Sequence, residues 1–146
     1  MIKKENTAYS TLAQQFNLLM NEPLKKYTSF KIGGPADLLA FPKDTAELKN
    51  LLKMALDHDI PVTLFGGGTN ILITDKGIRG LVVITKFLKP EIRIIQTDPH
   101  KKTICAGAGE PLSKVCRLAV DHCLSGLEFA AGIPGILGGA IMMNAG

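Results

Sequence analysis

A chain of 146 residues is long enough to fold as one ordinary domain, or as two small lobes, around a real core. With 46% hydrophobic and 21% charged residues it is not an intrinsically disordered segment, and 5% aromatics without a Trp argue against a base- or sugar-stacking surface. A formal net charge of +4, spread over scattered lysines, suits an anionic small ligand such as a nucleotide and speaks against a nucleic-acid face.

Residues 1–22 set Tyr9, Leu12, Ala13, Phe16 and Leu19 at helical spacing, which predicts an amphipathic leading helix ended by Pro23. No signal-peptide apolar stretch opens the chain and no apolar run reaches bilayer length, so a cytoplasmic protein without membrane association is expected. Residues 25–30 read as extended, Gly33-Gly34-Pro35 as a turn, and residues 37–41 as a short strand closed by Pro42. Asp44, with Glu47 three residues on, has the capping-box pattern and opens a helix whose stripe is Leu48, Leu51, Leu52, Ala55 and Leu56. Residues 60–65 follow as a buried strand running into Gly66-Gly67-Gly68-Thr69-Asn70.

Short strands are then expected at 71–73, 81–85, 91–96 and 103–106, with turns at 75–77, 89–90 and 98–100. Pro111 starts a second helix with Leu112, Val115, Cys116, Ala119 and Cys123 on one side. The expected fold class is α+β: a leading helix (1–22), a small βαβ lobe (23–76) and a second α+β lobe (77–146). The three cysteines form no CxxC pair, so reduced thiols are expected, with Cys116 and Cys123 packed in the core.

Two glycine-rich stretches carry the chemistry. Successive N–H groups of Gly66, Gly67, Gly68, Thr69 and Asn70 can form an anion-binding nest, although the same glycines also suit a plain tight turn. Gly107-Ala108-Gly109 is a weaker signal of the same kind. Residues 126–146 hold six glycines; Gly132-Ile133-Pro134-Gly135 leads to Gly138-Gly139, which open a short helix. A helix start offers free N–H groups to a phosphate, while close Gly/Ala packing is the alternative. Two such loops, one per lobe, point to an extended ligand such as a dinucleotide between them. His58, His100 and His122 read as surface or helix-end residues, and Glu128 as a loop brace. No catalytic triad, paired carboxylates or metal-ligand spacing is legible.

Taken in order, Tyr27-Thr-Ser-Phe-Lys-Ile-Gly-Gly-Pro-Ala-Asp37, the loop from Gly66 to Asn70, Gly77-Ile-Arg-Gly80, Gly107-Ala-Gly109, Ser125-Gly-Leu-Glu-Phe-Ala-Ala-Gly-Ile-Pro-Gly135, Gly138-Gly-Ala and Met143-Asn-Ala-Gly146 resemble the UDP-N-acetylenolpyruvoylglucosamine reductase family. The resemblance runs from about residue 23 to the last residue. It implies a two-lobed FAD-binding fold of the vanillyl-alcohol oxidase type with noncovalent FAD and with NADPH as co-substrate. Hydride would pass from NADPH to the flavin and on to the enolpyruvyl double bond, giving UDP-N-acetylmuramate for peptidoglycan. The resemblance places Gly66, Gly67, Gly68, Thr69, Asn70, Gly132, Ile133, Pro134, Gly135, Gly138 and Gly139 on the FAD. Thr69 stands where serine is commoner, Lys31 where arginine is frequent, and Ile136 where a small hydroxyl residue is frequent. The family's catalytic arginine, serine and late glutamate lie downstream and have no counterpart here, so no catalytic residue is assigned. The expectation is a cofactor-binding portion truncated before the substrate domain, inactive by itself and holding FAD weakly. The UDP-sugar substrate is expected as a partner only together with the missing C-terminal domain. The alternatives are a noncatalytic flavin or nucleotide module, half of a split enzyme that pairs with a complementary C-terminal half, or another flavin oxidase of the same superfold.

Overall fold

The computed structural model describes the backbone of residues 2–99 and 101–146, and the side chains of residues 9–96, 98, 99 and 101–146. The expected surface position of His100 lies outside the described residues. The chain divides into two compact units, Met1–Phe87 and Leu88–Gly146.

The first unit is built on a four-stranded sheet. Its elements are α1 (Ile2–Phe16), β1 (Leu19–Pro23), β2 (Pro35–Ala40), α2 (Thr45–Asp57), β3 (Val62–Phe65) and β4 (Ile78–Ile84), and the strand order is β1-β2-β4-β3. β1 runs antiparallel to β2, while β2 and β3 both pair in parallel with β4. β4 takes an interior place because Leu81, Val82, Val83 and Ile84 are all buried, and such a continuous apolar run needs cover on both faces. Leu38, Ala40, Leu81 and Val83 pack with Leu12 and Ala13 of α1 and Leu51, Met54 and Ala55 of α2. Leu39, Val82 and Ile84 belong to a second cluster with Leu24, Tyr27, Ile71 and Ile73.

Several expectations need correction here. The sequence reading put residues 81–85 in a second lobe beginning at 77, but β4 is an interior strand of the first sheet, so the units part between Phe87 and Leu88. Leu19 is not helical: Asn17 adopts φ 52, Leu18 N–H donates to the Ala13 carbonyl at 2.9 Å, and the chain leaves α1 for β1. Residues 24–27 form a 3-10 turn instead of an extended stretch. Residues 71–73 are not a strand; they cross the second face of the sheet and bury Ile73. β3 is an edge strand and not a buried one, with Val62 38% and Leu64 52% exposed.

The second unit holds an antiparallel hairpin of β5 (Ile92–Asp98) and β6 (Lys101–Ala106), then α3 (Leu112–Asp121), a 3-10 turn over Glu128–Ala130, and α4 (Leu137–Met142). Leu112, Val115 and Ala119 make the buried stripe of α3. Cys116 is half-buried, but Cys123 is exposed: after the helix end at His122 the chain turns left-handed, and Cys123 leaves the apolar face.

Candidate functional site

In the first unit the glycine loop leaves the end of β3 and is held by the segment that follows β1. Ser29 N–H donates to the Gly68 carbonyl at 2.9 Å, and Gly68 has φ 67. A Cβ on Gly68 would collide with the Tyr27 carbonyl oxygen, so only glycine lets the two backbones approach this closely. Gly66 and Gly67 are half-buried, while Thr69 and Asn70 are exposed. Among the described residues the N–H groups of residues 67–70 donate no hydrogen bond, and neither do the side chains of Thr69 and Asn70. Four successive unspent donors after a parallel strand have the chemistry of an anion-binding nest.

The flanking motif residues have structural work. β4 carries one extra residue against β2, where Ala36 faces Ile78 but Leu38 faces Leu81. The Asp37 carboxylate spans this irregularity, accepting from Gly80 N–H at 2.9 Å and pairing with Arg79. Arg79 also donates to the Lys76 carbonyl at 2.9 Å. This fixes the start of β4 and the far end of the loop that carries the glycines.

In the second unit, two glycine segments are stitched to each other. Leu112 N–H donates to the Gly135 carbonyl at 3.0 Å, Leu137 N–H to the Glu110 carbonyl at 2.8 Å, and Gly138 N–H to the Ala108 carbonyl at 2.9 Å. Two N–H groups at the start of α4 are therefore spent inside the protein, which corrects the expectation of an open phosphate-binding helix start. Gly138 is a packing glycine, since a Cβ there would stand 2.9 Å from Ala108 Cβ. Ile136 is buried, Ile133 and Gly135 are half-buried, and Pro134 is exposed. Gly132, with φ 85, keeps open space where a side chain would stand, whereas a Cβ on Gly139 would touch Ile136 Cγ1 at 3.8 Å. Glu128 braces its own loop, accepting from Gly126 N–H at 2.8 Å.

The sequence reading passed over Glu110. Its side chain is 1% exposed, one carboxylate oxygen pairs with Lys114 Nζ at 3.0 Å, and the other is buried with no hydrogen-bond partner. Nothing in composition marks a glutamate beside Pro111 as buried. No group of three or more metal-ligating side chains occurs among the described residues, and no helix there is long and apolar enough to cross a membrane.

The FAD binding domain family matches residues 36–146. The UDP-N-acetylenolpyruvoylglucosamine reductase of Agathobacter rectalis is 49% identical over 140 residues, covering 90% of this chain and 44% of its own length. The enzyme of the same name from Caldanaerobacter subterraneus subsp. tengcongensis is 47% identical over 135 residues, covering 92% and 43%. Among solved structures, UDP-N-acetylenolpyruvylglucosamine reductase from Thermus caldophilus matches with a TM-score of 0.63 at 33% identity, over 88% of this chain and 43% of that one. Cholesterol oxidase from B. sterolicum matches with a TM-score of 0.64 at 19% identity, over 88% and 24%, which speaks for the fold alone. The fold is thus the α+β FAD-binding fold of the vanillyl-alcohol oxidase type. The chain spans less than half the length of the curated relatives it matches. It belongs to the FAD binding domain family, and within that family to the sequences of the UDP-N-acetylenolpyruvoylglucosamine reductases.

Proposed function

We propose that this chain is the FAD-binding portion of an NADPH-dependent reductase that converts UDP-N-acetylenolpyruvoylglucosamine to UDP-N-acetylmuramate in cytoplasmic peptidoglycan synthesis. The observation that carries the reading is the run of unspent N–H groups at residues 67–70, in a loop pinned by Gly68 against Tyr27. These donors fit a diphosphate: they are backbone groups that need no side-chain ordering, and Thr69 and Asn70 add exposed polar donors. Gly132, where a side chain would meet nothing within 4 Å, fits a cofactor passing close to the backbone. FAD, when bound, supplies the hydride relay from NADPH to the enolpyruvyl carbon. The protein's part in that relay is to bind and orient.

These 146 residues span less than half the length of the reductases they resemble. By themselves they bind FAD weakly and do not turn over substrate, the acid, the substrate contacts and the UDP-sugar site lying in the length they do not span. The test is NADPH consumption with the UDP-sugar substrate, by the purified chain alone and after adding a polypeptide that covers the remaining length of the Agathobacter relative. No turnover alone and turnover on mixing is the expected result. Steady turnover by the chain alone would refute the division of labour. A chain that binds FAD but stays inactive with the complement is a noncatalytic flavin module.

A further inference from the structure

A second concave surface lies on the first unit, across the turn of residues 28–31 from the glycine loop. It is a cleft of about 420 Å³ whose lining includes Pro23, Lys25, Lys31, Ile32, Pro35 and Asp75. Lys31 sits at φ 57, a left-handed conformation uncommon for a lysine. The surrounding backbone over-determines it. Lys31 N–H donates to the Thr28 carbonyl at 3.2 Å, the buried Thr28 hydroxyl donates to the Ile32 carbonyl at 2.9 Å, and Ser29 N–H is tied to Gly68. The pinned turn leaves Phe30 57% and Ile32 50% exposed, on either side of the Lys31 cation. Residues held in sparsely populated backbone regions by their surroundings gather at ligand clamps.

Charge points the same way. Two lysines against one aspartate leave the cleft with a net positive charge, and among the described residues neither Lys25 nor Lys31 has an ion-pair partner. The neighbouring Lys26 is different, because it is spent on Glu22 at 2.8 Å. Pro23, Ile32 and Pro35 give the cleft apolar walls, which lower the local dielectric and strengthen attraction between an ammonium and an anion.

We propose that this cleft binds a phosphate-bearing ligand, with Lys25 and Lys31 as its phosphate contacts and Ile32 and the two prolines as its apolar wall. The phosphate belongs to a nucleotide separate from FAD, because the function proposed above, on which this assignment rests, gives the FAD diphosphate to residues 67–70. The test is calorimetric titration of inorganic pyrophosphate into the full 146-residue chain, with and without saturating FAD. The variants are Lys25→Gln, Lys31→Asn and, as a control on the exposed side of α2, Lys49→Gln. Asparagine is chosen at position 31 because it tolerates the left-handed backbone. Each cleft variant is expected to weaken pyrophosphate about tenfold, with unfolding midpoints unchanged and Lys49→Gln like the parent. Lysine-dependent pyrophosphate binding that persists at saturating FAD supports a separate nucleotide, and its displacement by FAD overturns that assignment. Unchanged affinity in both cleft variants, or no pyrophosphate binding to the parent, overturns the proposal. The two readings fail separately. FAD uptake with lysine-independent pyrophosphate binding sinks only the cleft, whereas lysine-dependent pyrophosphate binding without FAD uptake sinks only the cofactor assignment.

Discussion

Gly67 and Gly68 are neighbours in one loop, yet different forces hold them there. Gly68 needs its positive φ and its missing Cβ to lie against Tyr27, whereas a Cβ on Gly67 would meet only Thr69 Cγ2 at 3.9 Å. Gly68→Ala is therefore expected to lower stability by about 2 kcal/mol or more in urea unfolding, and Gly67→Ala by less than about 1 kcal/mol. An effect of Gly67→Ala should fall instead on ligand affinity, because its methyl group would lie without strain beside the unspent N–H groups.

Glu22 gives a prediction in pH. Its carboxylate accepts from Lys26 Nζ at 2.8 Å and from the Tyr27 hydroxyl at 3.0 Å, and the Lys26 bond above all holds its pKa below the ordinary 4.5. A lowered folded-state pKa contributes stability that is present above pH 4.5 and is lost as pH falls through the folded value. Lys26→Gln should move the Glu22 titration, followed by NMR, back up towards 4.5. A titration that stays where it was would remove the lysine as the cause.

Among the elements, the helix ends are the most uniform feature. Among the described residues, all four α-helices finish on a non-glycine residue in the left-handed region: Asn17, Asp59, Cys123 and Asn144. In each, the next N–H returns to a carbonyl five residues back, as Leu124 does to Ala119 at 2.8 Å. Asn and Asp tolerate that backbone; cysteine is the costly member, and Cys123 is exposed. Cys123→Gly is expected to stabilise the chain by about 0.5–1 kcal/mol in thermal or urea unfolding. At the opposite kind of end, Asp44 accepts from Glu47 N–H at 2.8 Å, and the Glu47 side chain accepts from Lys43 N–H at 2.7 Å. Asp44→Ala should cost about 1 kcal/mol by the same measurement.

These ends also show what could be read from sequence. α2 was legible because Asp44, Glu47 and an apolar stripe agree, although Leu56 of that stripe is exposed and Met54, outside it, is buried. The end of α1 was misplaced because the left-handed stop at Asn17 leaves no glycine in the sequence, and Pro23 drew the boundary six residues too late. The place of β4 is a tertiary matter: residues 81–84 announce burial on both faces but not which sheet supplies the cover.

For the molecule as a whole, order and spacing of the glycine motifs were enough for the family and for the α+β fold class. The individual roles within those motifs were not legible. Gly138 packs on Ala108, Gly68 lies against Tyr27, and Gly132 faces open space, yet all three are the same letter. Spending of the α4 N–H groups on the Glu110 and Ala108 carbonyls, and the buried oxygen of Glu110, depend on neighbours that no local pattern names. An unpartnered buried oxygen is a stability liability, and Lys114 is half-exposed and returns easily to water. Glu110→Met should therefore leave stability unchanged or raise it by about 1 kcal/mol, whereas loss of several kcal/mol would assign the carboxylate an internal partner.

The central claim is that this chain grips the diphosphate of FAD through the backbone donors of residues 67–70. Flavin fluorescence titration of the purified chain with FAD and with riboflavin, which lacks the diphosphate, tests it most directly. FAD should bind with one-to-one stoichiometry and at least about tenfold more tightly than riboflavin. Equal affinity for the two flavins, or no uptake of FAD at all, would contradict the claim.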